Sequence, residues 1–209
     1  MRTFDFWKVI GVAGTLAGLV SWPGTGQAQL GGVTDAVTNT TSTLSGQASG
    51  STAVVMGIVT SLVDTGTLTS PSEPLGTSLP IGSIPGLLTA ESLHATTMGW
   101  TDQVASEASL SNLAMTVAGT GISADFIQSR ALAVSGAVPT GLTSIEGLSI
   151  GGVPVSFAGA PNQSISLPGL SVTLNEQIQS ASGIIVNALR VRSLDGLTDV
   201  VVGSAKAGM

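Results

Sequence analysis

The sequence predicts an all-β chain: an antiparallel β-sandwich built of hairpins, with a flexible N-terminal arm. Three observations carry this. Short β-branched and apolar segments recur at intervals of about 8–12 residues between Gly- and Pro-rich turns. Apolar residues alternate at period two across several of these turns. Charged residues make up only 9% of the 209 residues, too few to clothe helix surfaces.

Composition removes several functions. No cysteine is present, so zinc fingers and disulfide scaffolds are out. The formal net charge is −6 and would repel phosphate, so no nucleic-acid partner is expected. One histidine, no tyrosine and 3% aromatic residues leave little for acid–base chemistry. They also leave little for the aromatic girdles of a membrane barrel.

Residues 1–28 read as a secretory signal peptide. Arg2 and Lys8 precede an apolar run over 9–20, which Pro23 and Gly24 end. The run is too short for a bilayer core of roughly 30 Å. Small residues at Gly26 and Ala28 place the cleavage after Ala28. The expected location is secreted, extracellular or cell-surface, with no membrane span once the signal is removed. An uncleaved anchor is the competing reading.

Residues 29–50, rich in Ser, Thr and Gly, are expected to be a weakly ordered arm, and residues 51–209 a single sandwich domain. Thr52 to Val63 reads as one long strand, apolar on both faces. Residues 64–86 hold Pro71, Pro74, Pro80 and Pro85 and read as an irregular connection. Leu93 to Trp100 reads as a strand. Ala108 to Val134 reads as a hairpin about Ala118-Gly119-Thr120-Gly121. That turn sets Val117 against Ile122, Met115 against Ala124 and Leu113 against Phe126. Gly151-Gly152 sets Ile150 against Val153 and Leu148 against Val155, and Pro154 marks an edge strand. Pro168-Gly169 turns a third pair. Residues 184–191 and 199–205 close the chain through Asp195-Gly196.

Five segments in order then resemble recurrent motifs of the bacterial choice-of-anchor P proteins. They are Ile122-Ser123-Ala124-Asp125-Phe126, Arg130-Ala131, Leu174-Asn175-Glu176-Gln177, Val186-Asn187-Ala188-Leu189, and Asp199-Val200-Val201-Val202-Gly203-Ser204-Ala205. The resemblance spans about residues 45–207. It implies a secreted β-domain with varied C-terminal anchors and no established enzymatic activity. Arg190 and Lys206 stand where the family often has histidine. The end at Ala207-Gly208-Met209 carries no sorting motif, so secretion is expected rather than anchoring.

The candidate chemistry is sparse. His94 lacks a Gly-x-Ser-x-Gly elbow to present a partner nucleophile, and reads as a surface residue. Glu91, Glu107 and Asp125 could in principle pair for glycoside hydrolysis. Asp125 is better explained by a pairing with Arg130. Asp195-Gly196 fits a turn more economically than a calcium loop. Asn39 and Asn162 match the glycosylation sequon, which carries little weight in a bacterial chain. Asn175, Glu176 and Asn187 are expected to be structural polar residues that fix register. A Lys206–asparagine isopeptide bond with Glu176 as its acid is the sharper alternative for the same cluster. Trp100, beside Thr101 and Asp102, is the candidate ligand platform.

No catalytic, metal or cofactor site is expected. The leading functional expectation is a non-enzymatic structural or adhesive protein. It would work through sheet surfaces and edges, by self-association or by contact with cell-surface or extracellular components. A glycan- or ligand-binding module is the alternative, and a secreted hydrolase ranks last.

Overall fold

A computed structural model describes residues 44–71 and 74–209. The expected signal peptide, its cleavage at Ala28 and residues 29–43 of the arm lie outside the described residues. The described chain is all-β, with two antiparallel sheets packed face to face.

The first sheet contains β1 (Ser45–Val55), β2 (Ile58–Asp64), β10 (Gln163–Leu167), β11 (Leu170–Gln179), β12 (Gly183–Ser193) and β13 (Thr198–Gly208), in the order β10-β11-β12-β13-β1-β2. The second contains β3 (Leu75–Ile84), β4 (Leu88–Gly99), β5 (Gln103–Val117), β6 (Thr120–Val134), β7 (Thr140–Glu146), β8 (Ser149–Ile150) and β9 (Val153–Pro154). Its order is β3-β4-β5-β6-β8-β9, with β7 also on β6. The central strands β1, β13 and β12 lie over β4, β5, β6 and β7.

Four sequence expectations change. Residues 45–50 belong to β1, between β13 and β2, so the arm cannot extend to residue 50. Ala48 and Ser49 in this stretch are buried, which a Ser/Gly-rich composition does not reveal. The long strand over 52–63 is instead a hairpin. Met56 and Gly57 both take positive φ, at 48° and 82°, and make a two-residue turn. The apolar run continues through it, so only Gly57 marks the reversal.

The connection over 64–86 contains β3. Pro80 is tolerated there because β3 is an edge strand, where a missing N–H breaks no ladder on the open side. Finally, the β5–β6 turn is Ala118-Gly119, with φ of 48° and 78°. Val117 therefore pairs with Thr120, Met115 with Ile122, Leu113 with Ala124 and Ser111 with Phe126. The register is two residues tighter than expected. A shift of two preserves the face, so Leu113, Met115, Val117, Ile122 and Ala124 are buried as expected and Phe126 is half-buried.

The remaining hairpins follow the sequence. Ile150 pairs with Val153 across Gly151-Gly152, and the N–H of Val155 donates to the carbonyl of Leu148 at 2.8 Å. Leu167 pairs with Leu170, and Ile165 with Val172. Strand β9, with Pro154, pairs only with β8 among the described residues.

One feature runs across both sheets. In β13, Val200 and Val202 face the core, but beyond Gly203 the inward residues are Ala205 and Ala207. The parity changes likewise in β12, from Ile184 and Val186 to Leu189 and Val191, and in β5, from Ala108 and Leu110 to Leu113 and Met115. Residues in the left-handed region sit on this line: Val63, Asn175 and Gly203 in the first sheet, Ser92 and Asn112 in the second. Strict alternation requires extended backbone. A left-handed residue rotates the strand, so the side chains after it exchange faces. The buried apolar residues form a large core, which spans the crease in the second sheet and contains Leu110, Leu113, Leu174 and Leu189, and a smaller one containing Val104, Ile184, Val186 and Ala207.

Candidate functional site

The crease brings a polar row to the outer face of the first sheet, where Ser49 and Asn187 are nonetheless buried among their neighbours. Register aligns Glu176, Asn187, Ser204, Ser49 and Asp64 across β11, β12, β13, β1 and β2. Beside it runs a second row holding Arg190, Val201, Thr52 and Ser61.

The two rows are stitched together. Asn187 Nδ2 donates to Glu176 Oε2 at 2.7 Å, and Ser204 Oγ donates to Asn187 Oδ1 at 2.7 Å. Arg190 Nη1 donates to both Glu176 oxygens at 3.1 Å, while its Nε and Nη2 engage Asp199 at 3.0 and 2.6 Å. Arg192 adds longer contacts to Glu176 and Asp199, at 3.6 and 3.4 Å. On the other side, Gln47 Nε2 reaches both oxygens of Asp64 at 3.1 and 3.2 Å, and the N–H of Gly66 donates to Asp64 Oδ1 at 2.8 Å. The hydroxyls of Ser49, Thr52 and Ser61 form a short chain at 3.0 and 3.2 Å.

The electrostatics follow from these contacts. Partial burial pushes the Asp199 carboxyl up, but its hydrogen bond and charge contact with Arg190, aided by Arg192, hold it below the usual carboxylate range. The same Asp199 bond raises the Arg190 guanidinium, against desolvation and with help from Glu176.

Between these groups lies a cavity of about 260 Å³, lined by Gln47, Ser49, Thr52, Asp64, Ile185, Asn187, Val201, Ser204 and Lys206. Arg130, Arg190 and Arg192 each have a carboxylate within 4.0 Å, whereas Lys206 has none among the described residues. A wider recess of about 640 Å³ lies on the second sheet. Its lining, which includes Ser83, Thr89, Ala114, Ser123 and Ser149, holds no titratable side chain.

The structure divides the polar residues picked out from sequence. Glu176 and Asn187 join on the outer face. Asn175, one residue from Glu176, is buried and reaches other elements. Its Oδ1 accepts from Thr143 Oγ1 and Gln177 Nε2 at 2.9 Å each, and its Nδ2 donates to the Gly159 carbonyl at 3.0 Å. Trp100 sits at the β4–β5 turn, 39% exposed, its backbone N–H donating to the Gln103 carbonyl at 2.7 Å.

The expected Asp125–Arg130 pair is replaced. Arg130 Nε meets Glu107 Oε2 at 2.8 Å, its direct partner across β5 and β6. Asp125 instead lies against Gly147, where any Cβ would collide with its carboxylate. Asp195 Oδ1 is taken up by its own turn, accepting from Ser193 Oγ and from the N–H of Leu197. These two bonds, the Ser193 one first, lower its pKa. His94 is exposed on β4, opposite Ser109.

Sequence reasoning missed the ion-paired quartet of Arg190, Arg192, Glu176 and Asp199, and the Ser49–Asp64 end of the row. The alternation of Arg190 and Arg192 about Val191 was a usable signal for the first. Nothing local signals the second, because the row depends on four strand pairings. No family model, curated protein or solved structure matches this chain.

Proposed function

We propose that this chain is an extracellular structural or adhesive domain that acts through its sheet edges and surfaces. The observation that carries the reading is strand β2. Among the described residues it ladders with β1 alone along its length. It begins with Ile58 and Val59, 71% and 64% exposed, next to Met56 at 75%. The N–H of Met56 donates to the Leu197 carbonyl at 2.8 Å, so exposed Leu194 and Leu197 of the β12–β13 turn extend the same apolar tip.

An open edge with exposed apolar residues and no lysine or proline is a template for a further strand. Three other edges are blunted: β3 carries Pro80, β9 is two residues long, and β10 is short with exposed Ser164 and Ser166, while on β7, which pairs with β6 alone among the described residues, Gln177 Nε2 occupies the Gly141 carbonyl at 3.3 Å. The resemblance to choice-of-anchor P domains and the signal-like residues 1–28 support an exported location. N-terminal sequencing of the exported protein should begin at Gln29.

The test is light scattering of the full exported chain against Ile58→Lys/Val59→Lys. Concentration-dependent association is expected for the wild type and its loss for the variant, with unchanged circular dichroism. A wild type that stays monomeric up to about 100 μM, a concentration that would reveal even a weak contact, and fails to bind extracellular material would overturn the reading.

A further inference from the structure

We propose that the cavity around Lys206 on the first sheet is a subsite for one ring of a neutral sugar. The inference develops the ligand-binding alternative and is independent of the β2 edge.

The volume, about 260 Å³, falls just under the roughly 300–1,000 Å³ of sites for drug-sized ligands. It suits a single ring rather than a chain. Its walls carry one cation, Lys206, and one anion, Asp64, so the lining has no net charge. Amide and hydroxyl groups of Gln47, Asn187, Ser49 and Ser204 complete it. A sugar hydroxyl both donates and accepts, and this mixed set answers both needs. A carboxylate pairing with Lys206 would lie in the same small cavity as Asp64, and an ammonium pairing with Asp64 in the same cavity as Lys206, whereas a neutral ring meets neither repulsion.

Spare capacity exists on buried, held groups. Asn187 is 5% exposed, and its amide uses one Nδ2 hydrogen on Glu176 and one Oδ1 lone pair on Ser204. One donor and one acceptor remain. Glu176, fixed by two arginines, holds that amide in orientation, so binding need not order it. Lys206 carries an ammonium with no carboxylate within 4.0 Å among the described residues. Ile185 and Val201 supply an apolar floor for the ring's C–H face.

The test is a heteronuclear NMR titration of the full exported chain with the methyl glycosides of glucose, mannose and galactose, and with galacturonate. At least one neutral glycoside should shift the backbone signals of Ser204 and Lys206 and the side-chain amides of Asn187 and Gln47. Lys206→Met and Asp64→Asn should each weaken it by roughly tenfold or more, as the loss of a charged hydrogen bond requires. Both side chains face outward, so the circular dichroism should stay unchanged. Trp100→Ala should leave the affinity intact. Shifts confined to the Trp100 turn, a preference for galacturonate, or no response up to about 10 mM, beyond the weak end of useful affinity, would each overturn the subsite. None of these outcomes bears on association through β2.

Discussion

Arg190 and Asp199 form a two-pronged pair across β12 and β13, with Nε–Oδ1 at 3.0 Å and Nη2–Oδ2 at 2.6 Å. The pair lies diagonally, since Arg190 stands opposite Val201 and Asp199 opposite Arg192. A planar guanidinium matches a carboxylate in this way with little loss of rotamer freedom per bond. Glu176, only 14% exposed at its side chain, ties the pair to the third strand.

This sets a pH dependence. Asp199 is held below its ordinary value by Arg190 and Arg192 against the upward push of burial. A carboxyl depressed in the folded state stabilises the protein above its unfolded pKa of about 3.9. That contribution is lost as pH falls through the folded value. Thermal melts should therefore show the wild type losing Tm below about pH 4, and Asp199→Asn losing less over the same range while starting lower. Parallel curves for the two proteins would refute the assignment.

Asn175 should be costly to replace. It takes φ of 51° and joins Thr143, Gly159 and Gln177 from its buried position. Asn175→Ala is expected to lose about 2–4 kcal/mol, from buried partners left unpaired and from left-handed strain. Asn175→Gly loses the same amide and differs from Asn175→Ala only in relieving the strain. In urea unfolding it should recover about 1 kcal/mol and remain well below wild type. Full recovery by glycine would mean the amide does nothing.

Gly203 marks the crease in β13. Its φ is 63°, and an added Cβ would lie 3.2 Å from Ile127 Cγ2 and 3.3 Å from the Ala188 Cβ. Gly203→Ala should cost about 1–3 kcal/mol, combining left-handed strain with crowding. Gly57→Ala, at φ 82° but with open space around it, tests strain alone and should cost less. Equal losses would show that the contact to Ile127 is irrelevant.

Ser129 is fully buried in β6, and its hydroxyl has no hydrogen-bond partner among the described residues. Removing an unpaired buried hydroxyl relieves its desolvation cost. Ser129→Ala should be neutral or stabilising by up to about 1 kcal/mol. Leu189→Ala, in the large core, should cost about 2–5 kcal/mol. A destabilised Ser129→Ala would reveal a partner for the hydroxyl.

Much of the fold was legible from local chemistry. Gly151-Gly152, Pro168-Gly169 and Asp195-Gly196 turn the chain where their backbone freedom or side-chain capping allows, and period-two alternation assigns the faces of the strands beside them. The misreadings share a cause. Met56-Gly57 sits inside an unbroken apolar run, and Pro80 signals a loop unless its strand is known to be an edge. Ser45–Gly50 has a linker's composition, yet it is a central strand because β13 and β2 flank it.

The site was less legible. Asn175, Glu176 and Asn187 stood out as polar residues among apolar strands, but their neighbours in sequence do not say which face each takes. By itself the sequence determined an all-β sandwich and most of its turns, because these depend on composition and on residues close along the chain. Only the tertiary structure decided the crease. A left-handed residue is invisible to alternation, and its effect on facing passes from strand to strand through hydrogen-bonded register. That effect separates Asn175 from Glu176 and gathers Glu176, Asn187, Ser204, Ser49 and Asp64 into one row.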